Sequence, residues 1–144
     1  MPHPPEAERF YTLEGYRRKN EPAVSCAMED YLEMICRAAE ADGCAHIGTL
    51  ASRLNVRPSS ASKMVRNLKA LGLVRFEKYT VVIPTERGWE LGNYLLWRHG
   101  VLTRFFCALT GKEEALEQTE KVEHFLSEQS VRAIERLLPL LDPP

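Results

Sequence analysis

Hydrophobic residues recur every three or four positions along most of the chain, which is the spacing of helices that bury one face. The first such stripe covers residues 25–42. A short helix over 47–54, a tight turn at 55–57 and a helix over 58–71 are predicted next, and Pro58 suits the first turn of the last of these. The predicted buried face of this last helix comprises Ala61, Met64, Val65, Leu68 and Leu71.

The pattern then changes to that of a β-hairpin, with β-rich runs at 73–77 and 80–84 joined by a short turn. Pro84 cannot donate a hydrogen bond to a neighbouring strand, so the second strand either lies at the edge of the sheet or ends there. A helix, a helix-turn-helix and a hairpin in this order predict a winged helix-turn-helix domain, which we assign to residues 25–85.

The rest of the chain is predicted to be helical. Thr85 caps a long helix that ends near Leu109, and two further helices cover about 113–125 and 128–141. We therefore expect a mainly α protein in which an all-helical domain, residues 86–144, follows the winged helix-turn-helix domain.

Composition is that of an ordinary globular protein, because 44% of the 144 residues are hydrophobic and 27% are charged. No apolar run reaches the roughly 18 residues of a membrane span, and the N-terminus lacks the features of a secretion signal, so we expect a cytoplasmic protein. The four scattered cysteines form no C-x-x-C pair and are predicted to be free thiols. Residues 1–24, rich in proline, charge and tyrosine, are expected to form an N-terminal arm.

The net charge of −1 conceals two blocks of opposite sign. Residues 45–79 carry seven cationic side chains and one glutamate, a net charge of +6. Residues 111–130 carry two lysines and six glutamates, a net charge of −4. A basic block followed by an acidic block predicts two different tasks along one chain.

The basic block indicates DNA binding. Outside its apolar stripe, the helix over 58–71 presents small hydroxyl groups and cations, which suit a helix in the major groove. The predicted DNA-contacting residues here are Arg57, Pro58, Ser59, Ser60, Ser62, Lys63 and Arg66. Arg75 and Lys78 on the hairpin are expected to touch phosphate. Taken alone, this helix is as typical of a solvated surface helix, but the neighbouring elements and the local charge favour DNA binding.

The acidic block contains a candidate metal site. If residues 113–126 form one helix, its predicted apolar side comprises Ala115, Leu116, Thr119, Val122, Phe125 and Leu126. On the other side, Glu120, Glu123 and His124 follow at i, i+3 and i+4, so their side chains converge within one turn. Two carboxylates and an imidazole suit a divalent cation, whereas the alternative is a solvated acidic face.

Two other places on the chain carry possible metal ligands. Asp30 and Glu33 lie at i, i+3 on the first helix, away from its apolar stripe, where such a pair is usually solvated. His99 occupies a core position of the long helix, whose stripe otherwise comprises Leu91, Leu95, Leu102, Phe106 and Leu109. A core histidine satisfied by hydrogen bonds is the commoner explanation, and a neutral metal ligand beside carboxylates of other helices is the alternative.

Four segments occur in an order and at separations that are typical of one family. They are Ala27–Ile35 (AMEDYLEMI), the helix over 57–73, Trp97–His99 (WRH) and Glu120–Ser127 (EKVEHFLS). In these segments the chain resembles the diphtheria-toxin-repressor family of iron-dependent repressors, and most closely its manganese-responsive transcriptional regulators. The resemblance covers about residues 25–141.

The resemblance implies a homodimeric repressor of metal-uptake genes, in which metal bound between a DNA-binding and a dimerisation domain favours the DNA-binding arrangement. Carried over by position, the implied metal ligands are Asp30, Glu33, His99, Glu120, Glu123 and His124. In the manganese branch they hold a pair of ions per chain, with Glu33 and Glu123 as the bridging carboxylates. Iron-responsive members have sulfur-bearing residues in place of Asp30 and Glu120, so hard carboxylate oxygens here favour Mn²⁺, with Fe²⁺ and Zn²⁺ as alternatives.

The sequence departs from the family pattern in three places, of which one is the N-terminal arm, since the shortest members have no counterpart to it. The hairpin turn, Lys78–Val81, lacks the usual glycine, which puts its geometry in question. The sequence ends at Pro144, so we expect no C-terminal SH3-like domain.

Two other functions are weighed against a metal-dependent repressor. A metal-independent winged-helix regulator that senses a small organic ligand would share the DNA-binding half and would be insensitive to chelators. A metal-dependent hydrolase is disfavoured, because the sequence has no nucleophile motif, no glycine-rich phosphate loop and no H-E-x-x-H pattern. We therefore expect the chain not to be an enzyme.

Overall fold

A computed structural model describes residues 24–141 as six α-helices and a small antiparallel sheet. The helices are α1 (Cys26–Asp42), α2 (Ile47–Leu54), α3 (Pro58–Ala70), α4 (Glu86–Thr110), α5 (Lys112–Val122) and α6 (Glu128–Leu141). The strands are β1 (Ala45–His46), β2 (Val74–Lys78) and β3 (Val81–Pro84), and a 3-10 turn at Glu123–Phe125 links α5 to α6. This order confirms the predicted mainly α fold. The arm predicted for residues 1–24 lies, as far as residue 23, outside the described residues.

Local sequence signals set the ends of the N-terminal helices. The hydroxyl of Ser25 accepts a hydrogen bond from the backbone N–H of Met28 at 3.2 Å and caps α1. Gly43 ends that helix in the left-handed region, with φ at 83°. Asn55 adopts the same region, with φ at 55°, and closes the predicted tight turn between α2 and α3. Thr85 caps α4 as predicted, because its Oγ1 accepts a hydrogen bond from the backbone N–H of Gly88 at 3.1 Å.

The central strand of the sheet is β3, which pairs with β1 on one side and β2 on the other, both antiparallel. The sequence did not predict β1, because two residues are too short to show a periodic pattern. The expectation that β3 lies at an edge is wrong, since Ala45 pairs with Val82. The alternative was correct, because β3 ends at Pro84.

The β2–β3 hairpin, called the wing below, turns at Tyr79 and Thr80 without a glycine. Both residues keep a negative φ, since Asn55 alone among the described non-glycine residues has a positive one. Between Phe76 and Lys78, β2 carries one residue more than the facing part of β3. Such a β-bulge bends the strand, so the turn does not need the two left-handed residues of a tight hairpin.

The long helix α4 contributes to two hydrophobic cores. The first core contains buried residues of α1, α2, α3 and the sheet, together with Leu95 of α4. The second is much smaller and consists of Val101, Val131 and Leu138, packed with the partly buried Trp97, Phe105, Leu126 and Ile134. Among residues 24–141, no helix combines the length and the apolar character needed to cross a membrane.

Helices α1 and α4 cross closely at Gly92. A Cβ atom at that position would lie 2.3 Å from the Sγ atom of Cys36, so any side chain there would have to displace the Cys36 thiol or the helix that carries it. Cys36 is buried, and all four cysteines are free thiols, as predicted. The close crossing brings the polar residues of the first turns of α1 beside Arg98 and His99 of α4.

Candidate metal centre and DNA-facing surface

The six residues expected as metal ligands come from distant parts of the sequence and meet in one place, called the candidate metal centre below. Asp30 and Glu33 lie on α1, His99 on α4, Glu120 in the last turn of α5, and Glu123 and His124 on the 3-10 turn. Five of them form two groups of possible ligands, Asp30–Glu123–His124 and Glu33–His99–Glu123, in each of which one ligand atom per residue lies within 4.8 Å of the others. The sixth, Glu120, lies at the rim with its Oε1 atom 3.5 Å from Nδ1 of His99.

Glu123 belongs to both groups and lies between the two imidazoles. Its side chain is fully buried, with Oε2 3.0 Å from Nδ1 of His99. Its Oε1 atom is also buried, 3.5 Å from Nε2 of His124, and makes no hydrogen bond within the described residues. A buried carboxylate oxygen without a donor is destabilising unless a cation or a hydrogen bond satisfies it. The site therefore fits a divalent cation.

The helical wheel predicted for 113–126 is wrong about the buried face. Leu116 and Phe125, expected to be inside, are 57% and 46% exposed, while Glu123, expected outside, is fully buried. Helix α5 instead packs its small residues Ala115 and Thr119 inward, and the Thr119 hydroxyl lies 3.3 Å from that of Thr103 on α4. Because α5 ends at Val122, Glu123 and His124 belong to a 3-10 turn and not to a continuous helix. Leu109, predicted on the apolar stripe of α4, is 55% exposed near the end of that helix.

The pKa values of four ionisable groups of the centre are raised, as expected where carboxylates are crowded together. Burial, followed by the charge of Glu123, raises the pKa of Glu33, and burial raises the pKa of Glu120. The hydrogen bond to Glu123 raises the pKa of His99. The hydrogen bonds to Asp30 and then Glu29 raise the pKa of His124 to about 10. The imidazolium of His124 thus neutralises part of the carboxylate charge, and a metal ion bound to this ring would replace its proton.

Two residues next to the centre were missed by the sequence analysis, Glu29 and Arg98. The Oε1 atom of Glu29 lies 3.0 Å from Nδ1 of His124, on the opposite side of the ring from Asp30. The guanidinium of Arg98 is buried and its Nη2 atom lies 3.5 Å from the same Glu29 oxygen. The sequence did contain a signal for Arg98, because this charged residue follows Leu91 and Leu95 at the spacing of buried positions on α4.

The predicted DNA-contacting residues lie on α3, on the residue before it and on the wing, and together they are called the α3–wing surface below. Its members are Arg57, Pro58, Ser59, Ser60, Ser62, Lys63, Arg66, Arg75 and Lys78. All are exposed except Ser62, which is half-buried, while Ala61, Val65 and Leu68 of α3 are buried as predicted. A groove of about 700 Å³ separates α3 from the wing, lined by Ser62, Arg66 and Phe76 among others, and Tyr79 at the wing tip is completely exposed. The geometry is that of a helix presented beside a wing.

A winged helix-turn-helix joined to helices that gather carboxylates and imidazoles fits a metal-dependent, DNA-binding transcriptional regulator. Comparison with known proteins leads to the same class. Residues 24–82 match the family model described as the iron dependent repressor N-terminal DNA binding domain, and residues 85–142 match its metal binding and dimerisation domain. The chain belongs to the iron-dependent repressor family. Members of this family are transcriptional repressors, which agrees with the expectation that the chain is not an enzyme.

Individual relatives include the HTH-type transcriptional regulator MntR of Bacillus pumilus, 35% identical over 117 residues, which are 81% of each chain. MntR of Bacillus subtilis strain 168 is 36% identical over 109 residues, covering 75% of this chain and 77% of the relative. Among solved structures, a manganese-dependent transcriptional repressor in complex with manganese has a TM-score of 0.70 and 29% identity over 77% of this chain. The present chain spans 52% of the length of that structure.

Proposed function

We propose that the chain is a manganese-responsive repressor that binds operator DNA as a homodimer when Mn²⁺ occupies the candidate metal centre. Residues 25–85 serve as the DNA-binding domain, and residues 86–144 serve for dimerisation and metal binding. Relatives whose names or titles state a dependence on manganese support the choice of metal. Bacterial DNA lies in the cytoplasm, which is the compartment we assign.

Glu123 carries this proposal. A buried carboxylate with one unsatisfied oxygen is destabilised by about 1–3 kcal/mol or more relative to a satisfied one. Its position between His99 and His124, and its membership of both ligand groups, match the environment that a pair of cations would satisfy. A solvated acidic face, the alternative considered for this segment, would leave the side chain in water.

We assign two Mn²⁺ ions per chain to the six residues of the centre. Four carboxylates supply the hard oxygen ligands that suit Mn²⁺, and two imidazoles complete the set. The place of Glu123 in both groups supports its role as a bridging ligand. Glu33 belongs to one group, so its bridging role rests on the family resemblance. Fe²⁺ and Zn²⁺ are competing ions, because the general order of affinities does not favour manganese.

Metal binding would control DNA binding through the relative orientation of the two halves of the chain, which are the DNA-binding half (residues 25–85) and the helical half (residues 86–144). When bound, the cations supply positive charge and shared coordination to carboxylates of both halves. Asp30 and Glu33 belong to the helix that leads into the DNA-binding half, whereas Glu120 and Glu123 belong to the other half. Their like charges repel when they are not neutralised, so the orientation that gathers them is populated most in the metal-bound state.

The α3–wing surface would meet DNA in that orientation. In a homodimer the two α3 helices would lie about one turn of DNA apart, as in other helix-turn-helix dimers. The hydroxyl groups and cations at the start of α3 would face base edges and phosphates, and Arg75 and Lys78 would face the backbone.

The first experiment is a calorimetric titration of chelator-stripped protein with Mn²⁺, in which we expect close to two ions per chain. One ion per chain would overturn the paired assignment. Absence of binding would overturn the proposed function and would favour the regulator that senses an organic ligand.

A variant then connects metal to DNA. Glu123→Ala should abolish Mn²⁺-stimulated retention of DNA fragments that Mn²⁺-loaded wild type has enriched from a random pool, without unfolding the protein. Glu117→Ala is the matched control, since that glutamate lies on α5 with its side chain 72% exposed. Unchanged Mn²⁺-stimulated retention by Glu123→Ala would contradict the mechanism.

A further inference from the structure

Outside the candidate metal centre, a buried ion pair contacts one of its imidazoles. Arg98 is 3% exposed, and its Nη2 atom lies 3.5 Å from Oε1 of Glu29 and 3.2 Å from Nδ1 of His124. The same Glu29 oxygen lies 3.0 Å from that Nδ1 atom. Three elements thus meet at this contact, with Glu29 on α1, Arg98 on α4 and His124 on the 3-10 turn.

The two nitrogens of His124 face different surroundings. Nε2 faces the centre, 2.8 Å from Oδ1 of Asp30 and 3.5 Å from Oε1 of Glu123. Nδ1 faces the Glu29–Arg98 pair. A neutral imidazole binds metal through the nitrogen that holds a lone pair, and its other nitrogen then carries the proton. A carboxylate that accepts a hydrogen bond from Nδ1–H therefore leaves the lone pair on the nitrogen that faces the centre.

We propose that Glu29 and Arg98 are positioning residues for metal binding by His124: the Glu29 carboxylate accepts a hydrogen bond from Nδ1–H of the ring, and Arg98 holds Glu29 on the outer side of the ring. The inference rests on the proposed function, because it requires His124 to be a ligand. It assigns to Glu29 a role distinct from that of its neighbour Asp30, although both are carboxylates on the same turn of α1.

Arg98 has a second consequence for the choice of ligands. A carboxylate as close to the centre as Glu29 would be attracted by bound cations and could displace Asp30 as a ligand. The ion pair with Arg98 opposes that movement, because departure of Glu29 would leave the buried guanidinium without a counter-charge. The Nε atom of Arg98 lacks a hydrogen-bond partner within the described residues, and a protonated Nδ1 of His124 cannot accept from the guanidinium, so the Glu29 carboxylate is the main acceptor near Arg98 there.

The burial of Arg98 is poorly explained by packing alone. It occupies a core position of α4, where an apolar residue of similar length would avoid the desolvation of a charge. The guanidinium also lies over the ring of Tyr94, with its Cζ atom 5.6 Å from the ring centroid, which is a favourable cation–π contact.

The test compares Mn²⁺ affinity in four variants with that of wild type, measured from the electron paramagnetic resonance signal of free Mn²⁺. Arg98→Met and Glu29→Gln should bind Mn²⁺ about 10- to 100-fold more weakly, the usual loss on removing a partner of a metal-bound histidine. Arg98→Lys, which keeps the charge, should recover part of the affinity. Arg136→Met on the exposed face of α6 is the matched control and should bind Mn²⁺ as wild type does.

A second measurement separates positioning from a purely structural role. In protein loaded with diamagnetic Zn²⁺, nitrogen-15 NMR of the imidazoles should show the His124 proton on Nδ1 in wild type. Loss of that single protonation pattern in Glu29→Gln is expected, whereas a structural role would lower the unfolding temperature and leave the pattern intact. If Arg98→Met fails to fold, Glu29→Gln and Arg98→Lys decide the question.

The outcomes distinguish this inference from the proposed function. If wild type binds Mn²⁺ and the variants bind it equally well with an unchanged proton on Nδ1, the positioning role is overturned while the metal centre stands. If wild type itself binds no Mn²⁺, the proposed function fails and the inference fails with it.

Discussion

The two hydrophobic cores differ greatly in size. The first buries side chains from α1, α2, α3, the sheet and α4, whereas the second has only three buried members, Val101, Val131 and Leu138. The second half also exposes large apolar side chains, which are Leu109, Leu116, Phe125, Leu137, Leu140 and Leu141. A half with a small core and exposed apolar residues depends on other contacts for its stability, and this half matches the family's metal binding and dimerisation domain.

The candidate metal centre lies between these unequal halves. Asp30 and Glu33 lie on the helix that runs through the large core, whereas Glu123 and His124 lie on a 3-10 turn that contributes no residue to either core. A ligand bound there would restrain the weaker half against the stronger one. The difference between the halves thus predicts that bound metal reduces the motion of the second half more than that of the first.

The largest effect is expected from truncation within the large core. Leu32→Ala removes a fully buried side chain of α1 and should lower the free energy of unfolding by about 2–5 kcal/mol, because it leaves a cavity among rigid neighbours. Leu138→Ala should fall near the lower end of that range, since exposed neighbours on α6 can move to fill the space. Urea unfolding in the presence of a chelator measures both. Equal losses would contradict the difference between the cores.

Metal should next stabilise the weaker half. At Mn²⁺ concentrations about 100 times the dissociation constant, the free energy of unfolding should rise by about 2.7 kcal/mol. Hydrogen–deuterium exchange should show the gain in protection mainly at α5 and the 3-10 turn rather than at α3. Glu123→Ala should show neither change. An equal gain in α3 and α5 would mean that the halves respond as one unit.

Lower pH should weaken metal binding, with a smaller change in free energy than the two effects above. Since its pKa is raised to about 10, His124 of the metal-free protein holds its proton at neutral pH, and metal must displace that proton. Mn²⁺ affinity should therefore fall by about tenfold per pH unit as the pH drops through the neutral range. Titration calorimetry in buffers of different ionisation enthalpy counts the released protons. A pH-independent affinity with no proton release would exclude metal binding through this ring.

The smallest effect is expected from a single cation of the α3–wing surface. Lys78→Ala should weaken DNA binding by a similar amount for all sequences and lower the salt dependence of log K by about one unit, because one phosphate contact is lost. Mn²⁺ affinity should stay unchanged, since Lys78 lies on the wing in the other half. A sequence-dependent loss, measured with the enriched and scrambled DNA fragments, would indicate a base contact instead.

Most of the first half was predictable because its signals are local. Ser25, Gly43 and Thr85 mark helix ends within a few residues of the groups they cap, and the apolar stripe of α3 is regular. Strand β1 was missed because its two residues are defined only by pairing with β3, which is distant in sequence.

The centre was only partly predictable. Its six residues were carried over by resemblance, but the sequence placed Glu123 on a solvated face, because the buried face of α5 consists of Ala115 and Thr119 and gives almost no hydrophobic signal. Glu29 and Arg98 were missed because their importance depends on a contact between three elements. Which charged residues a fold buries together is a tertiary property that periodicity in one helix does not reveal.

The 3-10 turn between α5 and α6 has a consequence for how this protein can change during evolution. Two consecutive residues, Glu123 and His124, have their side chains in one site. The orientation of both side chains depends on α5 ending at Val122, the residue before Glu123. An inserted or deleted residue between Thr119 and Ser127 would rotate both side chains away together. A single substitution in this stretch can be compensated by a second substitution, whereas a change in its length cannot. The wing turn, by contrast, is a place where insertions are tolerable, because only the solvent-exposed tip would grow.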